Sequence, residues 1–273
     1  MSSTDAQYER LRFTPSEIEH RYGKSVHILA DPLALNLLAR LCAKGTVQPR
    51  VNRLISRLYQ QLLHTVVAAE FPRAQTRIDT RMIDVTPHGV WHGPIVDEST
   101  RAVVVALARA GLLPSQVAYD YLNETIDPAG VRQDHLSLAR QTDDEGKVTG
   151  AALGAAKIGG GVGGAYVLVP DPMGATGSTV SSVLAHYRAH VEGTPARVLA
   201  LHLIVTPEYL RHVTTRHPEV SVYAFRLDRG LSAPDVLATI PGTRWADEHG
   251  LTDHHYIVPG GGGLGEVMNN SFC

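Results

Sequence analysis

Apolar and polar positions along this chain follow two periods. Between residues 46 and 70, Val47, Val51, Leu54, Leu58, Leu62 and Val66 recur every three or four positions, with Ile55, Leu63 and Val67 widening the stripe. That spacing predicts an amphipathic helix, with Thr46 as its N-cap and Pro72 closing it. The stretch "TRMIDVTPHGVWHGPIV" sets Pro87 and Gly89 between β-prone flanks and predicts a hairpin. Short continuous apolar runs follow: "AVVVALA" (102–108), "VLV" (167–169), "RVLALHLIV" (197–205) and "VSVYAF" (220–225). Each has the length of a strand buried on both faces. Helical patterns separate them: "ARAGLLPSQVAYDYL", then the stripe Val180, Val183, Leu184 and Tyr187, then "PEYLRHVTTRH" with Pro207 near its start.

Strands alternating with helices predict an α/β fold with an open, mostly parallel sheet. All strand-to-helix turns then fall on one edge, where open α/β sheets bind ligands. Two segments break the alternation. Residues 141–165 join a charged turn to a run with five glycines between 159 and 164, and are expected to form a flexible arm or flap, not a packed element. The C-terminal "YIVPGGGGLGEVMNNSFC" is glycine-dense, with "YIV" strand-like at its start. We expect a single domain over 1–273, with an extension at 1–24, the arm at 141–165 and an insert at 232–252.

Composition narrows the function. The 273 residues carry 25 basic and 27 acidic side chains, a net charge of −2, which excludes the basic footprint of a nucleic-acid binder. No apolar run reaches the ~18 residues of a membrane span, and the polar "MSSTDAQYERLRF" has no signal-peptide core. A cytoplasmic protein is expected. Cys42 and Cys273 cannot build a disulfide framework or a metal cluster, and the 14 histidines show no ligand spacing, so no resident metal is expected.

The densest chemistry lies in "VLVPDPMGATGST" (167–179). A buried strand ends, and Asp171 stands alone at its C-terminal edge. Ala175, Thr176, Gly177, Ser178 and Thr179 then lead into a helix. Small residues and a helix N-terminus offer converging N–H donors to a phosphate, and the hydroxyls add more. No Gly-Lys-Ser/Thr follows, so this is not a nucleoside-triphosphate loop. A lone carboxylate beside a phosphate cradle suits the vicinal hydroxyls of a sugar phosphate. The same residue types also serve an ordinary strand followed by a capped helix, and both readings stay open on this stretch alone.

"DPMGATGS" (171–178) resembles the phosphoribosyl-diphosphate signature of uracil phosphoribosyltransferases, DPMLATGGS. "ARAGL" (108–112) resembles their LRAGL loop and "YIVPG" (256–260) their uracil-recognition segment, in the same order. Weaker likeness at "ADPL", "DVTPHGV" and "HPEVSVYAFRLD" extends the resemblance over about residues 25–268. The resemblance implies a type I phosphoribosyltransferase fold with a β-arm or hood. It implies that Asp171 holds the ribose hydroxyls, Ala175 to Thr179 the 5-phosphate, and Arg109 the pyrophosphate, with Arg140 a second arginine at the base of the arm. Tyr256, Ile257, Val258 and Gly260 would read the pyrimidine edge. It further implies transfer from phosphoribosyl diphosphate to uracil, giving UMP. Mg²⁺ would enter on the pyrophosphate and the assembly would be a homodimer, for which the helix at 46–70 could supply a face.

The chain departs from the family after "YIVPG", where relatives continue LGDAGDR. Gly263 stands in place of the first aspartate, Glu266 of the second and Val267 of the arginine. His255 replaces a glycine, Gly174 a leucine and Ser178 a glycine. Besides uracil transfer, these departures leave open transfer to another or modified pyrimidine, or nucleotide binding without catalysis.

Overall fold

The computed structural model describes the backbone of residues 6–9, 11–142 and 148–271, and the side chains of 7–9, 11–137 and 154–271. After a short helix α1 (Ala6–Glu9), the chain runs β1 (Val26–Ile28), α2 (Pro32–Cys42) and α3 (Arg50–Glu70). The hairpin β2 (Arg73–Asp79) and β3 (Val90–Val96) follows, then β4 (Ala102–Ala108), α4 (Leu112–Thr125), β5 (Val131–Thr142) and β6 (Val148–Lys157). Next come β7 (Tyr166–Pro170), β8 (Met173–Gly174), α5 (Ser178–His190), β9 (Arg197–Val205), α6 (Pro207–Arg216) and β10 (Val220–Leu227). Two short helices, α7 (Pro234–Leu237) and α8 (Leu264–Asn269), complete the order.

The main sheet runs β1-β10-β9-β7-β4-β5-β6, with β8 added beside β9. Its pairings are parallel except β5 with β6. β4 is the switch point. The chain leaves it through α4 toward β5 on one side, then returns to build β7, β9 and β10 on the other. Side chains alternate between two cores. Val104, Leu168, Leu199 and Leu201 face α2, α3 and α4, whereas Val103, Val105, Val167, Val169, Val198 and Ala200 face α5 and α6.

The periodic segments fold as read, with corrections at their ends. α3 begins at Arg50 with Pro49 before it. Thr46 does not cap it; its hydroxyl donates to the Arg40 carbonyl, and Val47 is exposed. The apolar stripe of α3 packs into the core of its own chain. The ribbon β5–β6 starts at Val131, ten residues before the expected arm. The glycine run after it is exposed but tied at several points: Val162 and Ala165 are buried, Arg132 donates to the carbonyls of Gly160 and Gly161, and the Gly159 N–H donates to Asp134. Backbone groups are what these glycines contribute, and at Gly161 a close approach requires glycine: a Cβ there would come 2.9 Å from the Glu192 carbonyl.

The 232–252 insert packs beside α6. The Trp245 indole donates to the Pro207 carbonyl. Buried Glu248 accepts from Arg229, from the Gly242 N–H and from Tyr22. "YIV" forms no strand, only an isolated bridge between Leu251 and Ile257. No helix of the described residues is long and apolar enough to cross a membrane.

Candidate active site

β4 and β7 are neighbours, and both end at the switch point, so the loops after them face each other. Gly111 permits that closeness: a Cβ there would lie 2.9 Å from the carbonyls of both Leu107 and Pro170. A cavity of about 540 Å³ opens at this edge. Arg109 borders it from the β4 loop, Asp171 and Ala175 to Thr179 from the β7 loop, and Tyr256 and Ile257 from the C-terminal loop.

The β7 loop is stapled to β9. The Asp171 N–H donates to Leu201 C=O at 3.0 Å, and the Leu203 and Ile204 N–H groups donate to Pro172 C=O. Met173 and Gly174 then pair with Ile204 and Val205, and the Thr206 hydroxyl donates to Ala175 C=O at 2.7 Å. The turn into α5 needs Gly177, whose φ of +82° suits glycine and whose Cβ would lie 3.0 Å from the His212 ring. The N-cap of α5 is Gly177, which has no side chain to cap it, and only the Ser178 N–H finds a side chain, Thr176 Oγ1 at 3.4 Å. The next N–H groups of the helix lie at the cavity together with the Thr176 and Ser178 hydroxyls, which are 2.9 Å apart. Such a helix end attracts an anion through its unpaired donors and its dipole.

Asp171 sits at the cavity floor. Burial pushes its carboxyl up to about 6, opposed by a 3.3 Å hydrogen bond from the Met173 N–H. Hydroxyl donors or a cation arriving with a ligand would stabilise the charged form. Opposite, Arg109 donates to Ser271 Oγ at 2.8 Å and lies 3.9 Å from Glu266. Its guanidinium is well exposed and faces the same space.

Ile257 borders the cavity, and the bridge hydrogen bonds around it are made by its neighbours: Thr252 N–H to Tyr256 C=O and Val258 N–H to Gly250 C=O. Val258 and Gly260 instead anchor the loop from behind. Val258 C=O accepts from Gly230, and the Gly260 N–H donates to the buried Asp228 carboxylate at 2.7 Å, so that amide is not open to a base. Arg140 lies on β5 opposite Ala151, and its side chain falls outside the described residues. Sequence reasoning missed His202, Tyr209 and His254, all of which border the cavity. His202 had a signal: it is the one polar residue within the continuous apolar run 198–205.

The chain matches the family model for uracil phosphoribosyltransferase over residues 28–244. It is 26% identical to the uracil phosphoribosyltransferase of Rhodococcus jostii over 246 residues, covering 89% of this chain and 97% of that protein. It is 22% identical to that of Mycoplasma genitalium over 236 residues, covering 86% and 94%. A solved structure of an Aquifex aeolicus protein superposes with a TM-score of 0.67 at 20% identity, covering 89% of this chain and 97% of that one. That likeness speaks for the fold, and the sequence matches carry the lineage: this chain belongs to the uracil phosphoribosyltransferase family.

Proposed function

We propose that this protein transfers the phosphoribosyl group of phosphoribosyl diphosphate to N1 of uracil, giving UMP and pyrophosphate, as a single-domain cytoplasmic salvage enzyme. One observation supports this most. Arg109 after β4, Asp171 and the 175–179 loop after β7, and Ile257 of the C-terminal loop all border one cavity at the switch point of the sheet. A sugar phosphate has three things to grip, and each finds its chemistry here.

The N–H groups of Thr176, Gly177 and Thr179, with the Thr176 and Ser178 hydroxyls, hold the 5-phosphate, while Ala175, whose N–H donates to the Met173 carbonyl, shapes the loop. Asp171 accepts from the two ribose hydroxyls, which fixes the ring. Arg109 grips the pyrophosphate with charge-assisted bonds that strengthen as the C1–O bond breaks and charge builds on the leaving group. The free backbone of Ile257 and the ring of Tyr256 orient the pyrimidine so that N1 faces C1. The bond from N1 to C1 forms as the bond to pyrophosphate breaks, through an oxocarbenium-like state; the N1 proton passes to the departing pyrophosphate or to water, and no side-chain nucleophile is required.

The donor set suits a Mg²⁺ carried in by the diphosphate. Asp171 and Glu266 border the cavity as single acids, and no group of three or more His, Cys, Asp or Glu that could hold a metal ion occurs among the described residues. When bound, the ion neutralises charge on the leaving group. A homodimer goes with this reading, and sedimentation at micromolar concentration tests it.

The test is incubation with phosphoribosyl diphosphate, Mg²⁺ and a panel of pyrimidines, reading nucleotide and pyrophosphate together. Stoichiometric UMP and pyrophosphate support the proposal. Turnover with another pyrimidine and not uracil moves the acceptor. Binding of UMP with no turnover under any base overturns the enzymatic reading.

A further inference from the structure

His202 lies on β9, 1% exposed, facing α5 and α6 in a row otherwise made of Val198 and Ala200. A buried imidazole in such a row needs partners for both nitrogens. It has them: Nδ1 is 2.6 Å from the main-chain carbonyl oxygen of Asp171, and Nε2 is 2.6 Å from the Tyr209 hydroxyl. A carbonyl only accepts, so Nδ1 carries the proton. Burial lowers the imidazole to about 4, so the ring is neutral and Nε2 accepts from Tyr209. The direction of every proton is thereby fixed: Tyr209 O–H to His202, and His202 N–H to Asp171 C=O.

Tyr209 is itself 2% exposed and set by the Thr206 cap of α6, which accepts from its N–H at 3.0 Å. Its ring stands edge-on to the imidazole at 4.6 Å. The loop below leaves room for it because residue 174 is glycine: a Cβ there would lie 2.9 Å from Val205 and 3.1 Å from the Tyr209 ring. The two side chains also border the cavity beside Asp171.

Resting on the transferase reading above, we propose that the Tyr209–His202 pair is a positioning device for Asp171, holding the first residue of the ribose-phosphate loop by its carbonyl so that the carboxylate projects to the sugar. The pair touches no reacting atom. Its loss should therefore weaken the grip on the phosphoribosyl group and leave the grip on the base alone.

The test is kinetics with phosphoribosyl diphosphate and uracil, calorimetry with UMP, and thermal unfolding, on wild type, H202L, H202N and Y209F. Leucine removes the donor, whereas the asparagine amide hangs from Cγ as Nδ1 does and keeps it. H202L should raise the KM for phosphoribosyl diphosphate and the Kd for UMP by ~10-fold, the scale of one lost buried hydrogen bond, with the KM for uracil within about twofold. H202N should recover most of that loss and Y209F should show a smaller one. Equal losses in H202L and H202N, or KM values for both substrates rising together, overturn the inference. If H202L does not fold, a Y209F protein with unchanged KM for phosphoribosyl diphosphate overturns it. Wild type that binds neither phosphoribosyl diphosphate nor UMP overturns the transferase reading and this inference with it. Wild type that binds, with H202L binding equally well, overturns this inference alone.

Discussion

The carboxylate of Glu266 fills the volume that a side chain at position 263 would occupy: a Cβ built on Gly263 would come 2.2 Å from Glu266 Oε2. Gly263 precedes α8 and Glu266 lies in its first turn, so the turn folds the acid back over the glycine and toward Arg109, 3.9 Å away. An acidic group therefore borders this end of the cavity although residue 263 has none.

A methyl at position 263 should consequently act through Glu266. The clash is with the far end of a side chain that is free to rotate, so Gly263→Ala should leave thermal stability nearly unchanged. It should lower kcat/KM about as far as Glu266→Gln does. A half-exposed pair at this distance is worth ~0.2–1 kcal/mol, a factor of about 1.5 to 5. The double variant should be no worse than either single one. Effects that add would show that the two residues act separately.

Asp171 links function to pH. Its pKa is raised by burial to about 6, above the unfolded value. Ionising it therefore costs the empty fold stability: the contribution is full at low pH and lost as pH rises through about 6. Binding needs the charged form, so affinity for UMP should fall as pH drops below about 6. Asp171→Asn should bind UMP weakly with a flatter pH profile, yet unfold at a higher temperature than wild type at pH 8. The phosphate of UMP titrates in the same range, so calorimetry on the two proteins side by side isolates the part due to Asp171. Identical profiles would remove Asp171 from the sugar.

Arg109 should show the difference between a fork and a point charge. Arg109→Ala loses charge-assisted hydrogen bonds to the leaving group, each worth ~1.5–3 kcal/mol, so kcat/KM for phosphoribosyl diphosphate should fall by ~10- to 100-fold. Inhibition by pyrophosphate should weaken in parallel while the KM for uracil holds. Arg109→Lys should recover only part of the loss. Steady-state kinetics with product inhibition checks this, and an unchanged pyrophosphate inhibition constant would assign the β4 loop another role.

How far the sequence foretold the molecule depended on the kind of signal. The buried strands β4, β7, β9 and β10 and the stripe of α3 announce themselves because periodic burial needs periodic apolar residues. β5 and β6 do not: their ribbon carries polar residues such as Arg132, Gln133 and Asp134, whose partners come from the later glycine run and from α4. α2 was missed although Asp31 caps it, accepting from the Leu33 and Ala34 N–H groups, with Pro32 at its first turn. The site divides in the same way. Asp171 and its loop form one contiguous motif and were legible. His202 and Tyr209 join it through space, and Gly260, which a motif reading assigns to the base, has its amide engaged by Asp228, just past the end of β10.

The insert can be tested apart from the site. Glu248 is 1% exposed and accepts from Arg229 at 2.8 Å and from the Gly242 N–H at 2.8 Å, with Tyr22 as a third donor. Those three groups come from β10's end, the insert itself and the N-terminal segment, so one carboxylate ties three stretches of chain together. Glu248→Ala would leave the largely buried Arg229 guanidinium without its counter-charge, and breaking such a pair costs ~3–5 kcal/mol. None of these residues borders the cavity. Denaturant unfolding should thus show a large loss of stability for Glu248→Ala, while calorimetry on the protein still folded at low temperature returns a UMP affinity within about twofold of wild type. A large change in affinity at intact fold would mean that the insert reaches the site after all.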